Sequence, residues 1–136
     1  ADDSKEVSAT VSPVIISISV TPNSLSYGAQ EIGSTNVVPS PEKVAVLNTG
    51  SVVVDLAIRG SDTANWTLAS LQDVDKFVHR FKTSGNFTPL TKTNQALFAD
   101  VPPASSIEVF FNLDLPTQTA ATTTQTTKVT IVATGS

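Results

Sequence analysis

Residues 107–115 read Ile-Glu-Val-Phe-Phe-Asn-Leu-Asp-Leu, and this stretch decides the class of fold. Apolar side chains stand at every odd position, and Glu108, Asn112 and Asp114 stand between them. Successive residues of a β-strand point to opposite faces of its sheet. The stretch therefore predicts a long strand with an apolar inner face and a mostly solvated outer face.

Similar runs recur along most of the chain, with turn residues between them. We interpret the following runs as further strands: 14–20, 25–27, 44–46, 52–58, 96–98 and 129–133. The apolar positions between 64 and 82 fit a helix or strands, and the β-rich flanks favour short strands at 66–71 and 76–82. Asn48-Thr49-Gly50-Ser51 predicts a hairpin turn between two of these strands.

Eight or nine short strands separated by turns predict an all-β fold. The length of 136 residues suits one domain, and a hydrophobic share of 40% is sufficient for a core. The many Val, Ile and Thr residues favour pleated, half-buried surfaces. We therefore expect an immunoglobulin-like two-sheet β-sandwich with an extended N-terminal strand.

The charge of the chain argues against a nucleic-acid partner. The net charge is −4, and the eight Lys and Arg residues are scattered rather than clustered on one stretch. No run of ~18 apolar residues occurs, so we predict no membrane-spanning segment.

The chain contains no Cys, which excludes a disulfide framework and a thiolate metal site. It starts with Ala-Asp-Asp, as a chain does after a leader peptide is removed at a small residue. The Ser- and Thr-rich, charge-poor composition agrees with export. We expect a secreted protein that is extracellular or on the cell surface.

The apolar pattern changes phase at Pro13. The apolar residues before it stand at odd positions and those after it at even positions: Val7, Ala9 and Val11, then Val14, Ile16, Ile18 and Val20. One continuous strand would turn its two halves to opposite faces, and proline cannot donate to a strand ladder. We therefore predict two extended pieces with different burial partners: a donor-strand segment at 1–12 and a sandwich domain at 13–136.

Residues 25–62 carry a family resemblance. They include Leu-Ser-Tyr-Gly, Ile-Gly-Ser-Thr, Val-Ala-Val-Leu-Asn-Thr-Gly-Ser-Val-Val-Val-Asp-Leu and Gly-Ser-Asp. This series resembles the immunoglobulin-like domains of the abnormal-spindle/hydin and choice-of-anchor type. The resemblance implies an immunoglobulin-like fold in a surface or scaffold protein and no catalytic residues.

The sequence does not favour an enzyme. Nucleophilic triads and most transition-metal sites centre on a histidine, and His79 is the only one. Its place between Val78 and Arg80 favours a structural or surface role. No glycine-rich phosphate motif occurs. We expect no catalytic residues and no cofactor.

Asp73 and Asp75 stand two residues apart and could lend oxygen atoms to a hard cation such as Ca²⁺. No regular series of further ligands follows them. We interpret the pair as two solvated loop acids and predict no metal site.

Two sequons, Asn65-Trp66-Thr67 and Asn86-Phe87-Thr88, make Asn65 and Asn86 candidate glycosylation sites and glycans possible partners. A chain rich in Ser and Thr reaches such matches by chance, so the alternative is that both are ordinary loop residues. Trp66 could stack on a carbohydrate, although a lone Trp in a strand is more often part of a core.

Two functions fit these observations. In the first, the protein is a structural subunit of an extracellular filament or pilus: Val7, Ala9 and Val11 form the subunit interface and add as a strand to an identical neighbour. In the second, it is an immunoglobulin-like adhesive or spacer domain of a larger cell-surface protein. Val7–Val11 is then a first strand that crosses from one sheet to the other.

Overall fold

The long strand predicted at 107–115 is present at Ser106–Asp114 in the computed structural model, which describes residues 3–136. Ala1 and Asp2, which belong to the predicted segment 1–12, lie outside the described residues. The strands of the described chain are, in order, β1 (Ile18–Thr21), β2 (Lys43–Asn48), β3 (Val54–Arg59), β4 (Thr67–Leu68), β5 (Lys76–Lys82), β6 (Thr88–Pro89), β7 (Gln95–Val101), β8 (Ser106–Asp114) and β9 (Thr130–Gly135).

These strands form two sheets. The larger has the order β1-β2-β8-β5-β4, with β6 also paired to β5, and the smaller has the order β7-β3-β9. All pairs are antiparallel except β4 with β5. Strands are thus present at 67–68 and 76–82, where the sequence also allowed a helix. Residues 3–136 contain no helix, and therefore none that could cross a membrane.

One apolar core lies between the two sheets. The larger sheet contributes Val44, Phe77 and Val109, and the smaller sheet contributes Leu56 and Ile58, all of them buried. Each sheet therefore covers the apolar face of the other, which is the arrangement of a β-sandwich. The all-β, two-sheet prediction is confirmed.

The outer face of β8 differs from the prediction. Asn112 and Asp114 are buried rather than solvated. The segment before β2 lies against this face, where the Asn36 N–H donates to Asp114 Oδ1 at 2.8 Å. Arg80 of β5 also donates from Nη2 to Asp114 Oδ2 at 2.6 Å. The prediction of a mostly solvated outer face was wrong there because alternation does not show which loop covers that face.

The predicted hairpin at 48–51 is also wrong. The strands on either side of it, β2 and β3, belong to different sheets, so the chain crosses between sheets here. The buried side chain of Asn48 holds this corner, because its Nδ2 donates to the carbonyls of Val52 and Val101 at 2.8 and 2.9 Å. The brief strand predicted at 25–27 is reduced to a single bridge between Ser26 and Ser40.

Candidate assembly site: a free segment and an open cleft

The predicted interface residues Val7, Ala9 and Val11 lie in a segment that belongs to neither sheet. We call residues 3–12 the free segment. Val7 is 92% exposed and Val11 is 90% exposed. Within the described chain, residues 3–12 make no hydrogen bond to the sandwich, and their one ion pair joins the exposed Lys5 and Asp3. The free segment thus presents apolar side chains that this chain leaves uncovered.

The residues that follow, 13–17, form a root that holds the free segment to the sandwich. The Ile15 N–H donates to Ser51 Oγ at 2.9 Å, and the Ser51 N–H donates to the Ile15 carbonyl at 2.9 Å. The Thr49 N–H also donates to the Ser17 carbonyl at 3.0 Å. Gly50 lies at this crossing, so we call this the Gly50 end of the sandwich.

The opposite end of the sandwich, where β4 meets the start of β5, contains Trp66, and we call it the Trp66 end. A cleft of about 880 Å³ opens in the half of the sandwich near this end. Residues 20–30 form one wall and residues 122–131 the other. Its floor consists of side chains that also belong to the core: Val44, Phe77, His79, Phe111, Leu113 and Leu115. The two sheets are therefore incompletely closed over their own core.

Unpaired strand edges flank the cleft. In the described chain, β1 pairs only with β2 and β9 pairs only with β3, so each keeps one free edge. At the Gly50 end the two edges lie close together. A Cβ added to Gly135, on β9, would lie 3.7 Å from Cδ1 of Ile16, which precedes β1. Toward the Trp66 end the cleft is lined by Val20 of β1 and by Thr130 and Ile131 of β9. An unpaired edge beside uncovered apolar surface is a template for an added strand.

His79 and Tyr27 form a polar pair in the cleft. The Tyr27 hydroxyl oxygen lies 2.7 Å from His79 Nε2, and the two rings meet edge to face with centroids 5.6 Å apart. His79 is 3% exposed, and its Nδ1 has no hydrogen-bond partner in the described structure. Burial lowers the pKa of His79 to about 4 and raises the pKa of Tyr27 above its ordinary value. The imidazole is therefore neutral at pH 7, and it contacts the core ring of Phe111.

A Thr-rich strap, residues 117–129, contributes residues 122–129 to the second wall of the cleft. Gln125 fastens it, since its Oε1 accepts from Thr63 Oγ1 at 2.6 Å and its Nε2 donates to Asn65 Oδ1 at 2.9 Å. The indole Nε1 of Trp66 donates to Thr119 Oγ1 at 3.0 Å. Trp66 packs against the core, in contact with Phe77, as a lone strand Trp usually does.

The two sequons occupy different surroundings. Asn65 is exposed, but its side chain bonds to Gln125 beside the cleft. Asn86 is exposed in the loop between β5 and β6, and no hydrogen bond to its side chain is present in the described part of the chain. The structure therefore presents Asn86 more openly than Asn65.

The two loop acids do not form a cluster with other ligands. Asp73 Oδ1 accepts from the Val74 N–H at 2.7 Å, and Asp75 has a positive φ of 54°. Within residues 3–136, no three His, Asp or Glu side chains come together as possible metal ligands.

The sequence pattern did not predict the cleft. The residues of its floor have the alternation of ordinary core strands, and its strap contains almost no apolar residue that would predict a strand. The one available signal is that strap: its thirteen residues, between β8 and β9, lack the alternation found elsewhere. This signal indicates a position where a strand is absent from the sandwich.

Comparison of the chain with protein-family models, with curated proteins and with solved structures finds no match to any of them. What the protein does must therefore follow from its own residues.

Proposed function

We propose that this protein is a structural subunit that polymerises outside the cell by adding its N-terminal segment to the cleft of a neighbouring copy. One observation carries the proposal: in the described chain, a segment with exposed valines leaves one end of the sandwich, and a cleft opens onto core side chains near the other end. Val7 and Val11 face solvent, while the cleft gives access to the buried rings of Phe77 and Phe111. Burying a valine contributes roughly 1.5–3 kcal/mol.

The added strand would supply backbone hydrogen bonds as well as side chains. The free edges of β1 and β9 would pair with it, and alternate residues would enter the core. Val7, Ala9 and Val11 stand at alternate positions, so all three can face the core at once. Ser8 and Thr10 would then point away from it.

The immunoglobulin-like character of the fold and a location on the cell surface are parts of the same proposal. A two-sheet sandwich is the architecture that the resemblance over residues 25–62 implies, and the proposed role as a surface building block agrees with that resemblance. No catalytic role is proposed, since the only histidine is buried and held by Tyr27.

Glycans remain candidate partners in this proposal, at Asn86 and Asn65. The intact mass of the natural protein, compared with the chain mass of 14.2 kDa, measures their presence. A mass equal to that of the unmodified chain removes them from the proposal.

Deletion of residues 1–12 tests the proposed function. The full chain should form filaments in negative-stain electron micrographs, and the shortened chain should stay monomeric by light scattering. Circular dichroism and the thermal midpoint serve as controls, since residues 3–12 make no hydrogen bond to the sandwich. Filaments from the shortened chain would refute the proposal. A full chain that stays monomeric at high concentration would favour the adhesive or spacer domain.

A further inference from the structure

We propose that the inserted segment runs in one defined direction, with its N-terminal residues deepest in the neighbour's cleft, parallel to β1 and antiparallel to β9. This inference rests on the proposed function and adds the orientation of the strand and the polarity of the filament. It follows from where the free segment leaves one sandwich and where the cleft opens on the next.

The free segment leaves at the Gly50 end. Its root bonds to Ser51 and Thr49, and Ile18 pairs with Asn48 at the end of β2. From there β1 runs toward the Trp66 end, because Thr21 pairs with Ala45. Strand β9 runs the other way, since Thr130 pairs with Arg59 and Gly135 pairs with Val54.

The cleft spans a definite range of levels along β8. Its deep end is at Val20 of β1. Val20 pairs with Val46 of β2, and Val46 pairs with Ile107 of β8, so Val20 and Ile107 lie at the same level of the sheet. Its other end is near Phe77 and Leu115, at the Trp66 end. Eight residues of strand separate the levels of Ile107 and Leu115, or roughly 26 Å. The ten residues of the free segment span roughly 33 Å when extended, so the segment is long enough to fill the cleft.

An open filament needs the Gly50 end of one subunit to meet the Trp66 end of the next, because the contact must join two different surfaces. The residue nearest the root, Ser12, then lies at the mouth of the neighbour's cleft, and Asp3 lies deepest. Counted at one residue per level from Leu115, Val11 lies at the mouth, Val7 lies about halfway in, and Lys5 lies within one residue of the level of Val20 of the neighbour.

The two closed alternatives require the opposite direction. A segment that folds back into its own cleft must reverse at the Gly50 end, so Val11 would lie near Val20 and Lys5 near the Trp66 end. Two chains that exchange segments across their Gly50 ends give the same reversed arrangement. Strand direction therefore distinguishes an open, polar filament from a closed monomer or dimer.

Disulfide trapping tests the direction, and the chain suits it because it has no cysteine of its own. Two double variants are made: Lys5→Cys with Val20→Cys, and Val11→Cys with Val20→Cys. Val20 is partly exposed on the wall of the cleft. After assembly and mild oxidation, the products are separated on non-reducing gels.

The first variant should give ladders of covalent oligomers, and the second should not. Ladders from the second variant only would overturn the direction and leave polymerisation by strand addition standing. Filaments without any cross-link would overturn the cleft as the acceptor. A wild-type chain that forms no filaments would instead refute the proposed function. Electron cryomicroscopy of unmodified filaments reads the strand direction without any substitution.

Discussion

The hydroxyl oxygen of Tyr27 lies 2.7 Å from Nε2 of His79, in a cleft whose other floor residues are apolar. The pair joins the wall of the cleft at residues 20–30 to its floor on β5. Tyr27 and His79 stand 52 positions apart in the chain, and no local pattern predicts that they meet. Burial keeps the imidazole neutral, so protonation of His79 at low pH would destabilise this contact between the wall and the floor of the cleft.

The free energy of unfolding should fall as the pH drops from about 6.5 to about 4. The unfolded chain takes up the His79 proton below pH 6.5, whereas burial lowers the pKa of the folded state to about 4. Protons in this window therefore favour the unfolded state. The full loss is about 3 kcal/mol by proton linkage. Urea unfolding of the chain lacking residues 1–12, measured across this pH range, checks it.

His79→Gln is the matched control for this pH dependence, because glutamine keeps a hydrogen-bonding group without the titration. Its unfolding free energy should change little between pH 6.5 and 4. Asp114 and Asp62 do not obscure the result, since hydrogen bonds lower the pKa of both carboxyls and move their effect below this window. Equal slopes in the two proteins would contradict the prediction.

Val11→Asp should abolish assembly and leave the sandwich intact. Val11 is 90% exposed in the single chain, so the substitution should change its unfolding free energy by no more than about 0.5 kcal/mol. In the neighbour's cleft the carboxylate would be buried without a partner, at a cost of several kcal/mol. Sedimentation of filaments and urea unfolding measure the two effects separately.

Thr10→Asp controls for charge, because it adds the same carboxylate one position away on the opposite face of the strand. This variant should still assemble. If both variants assemble, or if both fail to assemble, the prediction is contradicted. Assembly would then not depend on which face of the strand carries the charge.

A synthetic peptide of residues 1–12 should stabilise the chain that lacks them. A ligand that binds only the folded state stabilises it by about 2.7 kcal/mol when the ligand concentration is 100 times its dissociation constant. The thermal midpoint of the shortened chain should therefore rise with peptide concentration. A peptide with Asp in place of both Val7 and Val11 should produce no rise. Equal shifts from the two peptides would show that the effect is not burial in the cleft.

Gly50→Ala should destabilise the protein by roughly 1–3 kcal/mol, since a Cβ there would collide with the carbonyl oxygen of Ile15. Backbone must move to accommodate it, and the root would loosen from the Gly50 end. Gly135→Ala is the control, because its Cβ would meet Ile16 Cδ1 at an ordinary 3.7 Å. Urea unfolding compares the variants, and equal midpoints for both would contradict the prediction.

Asp114→Ala should cost roughly 1–3 kcal/mol, the range for losing a hydrogen bond to a charged group. The carboxyl is 8% exposed, and the hydrogen bond from Arg80 is the main reason that its pKa lies below its ordinary value. Glu108→Ala, on the same strand, breaks the exposed pair with Lys43 and should cost about 1 kcal/mol or less. Chemical unfolding ranks the two, and the reverse order would refute the assignment.

The strands could largely be predicted from the chain itself, because alternation is a local property. The odd positions of 107–115 predicted β8, and its inner residues Val109 and Phe111 are buried. The change of phase at Pro13 likewise predicted that Val7, Ala9 and Val11 have a different burial partner from Ile18 and Val20. These inferences need only the direction of neighbouring side chains.

The remaining features depended on which distant strands pair, and only the tertiary structure decided them. The turn at Gly50 resembles a hairpin in sequence, yet it carries the chain between sheets. The alternating pattern of 107–115 predicts that Asn112 is solvated, yet a loop covers it. The cleft lies between residues 20–30 and residues 122–131. A gap between segments so distant in the chain leaves no periodic signal in the sequence.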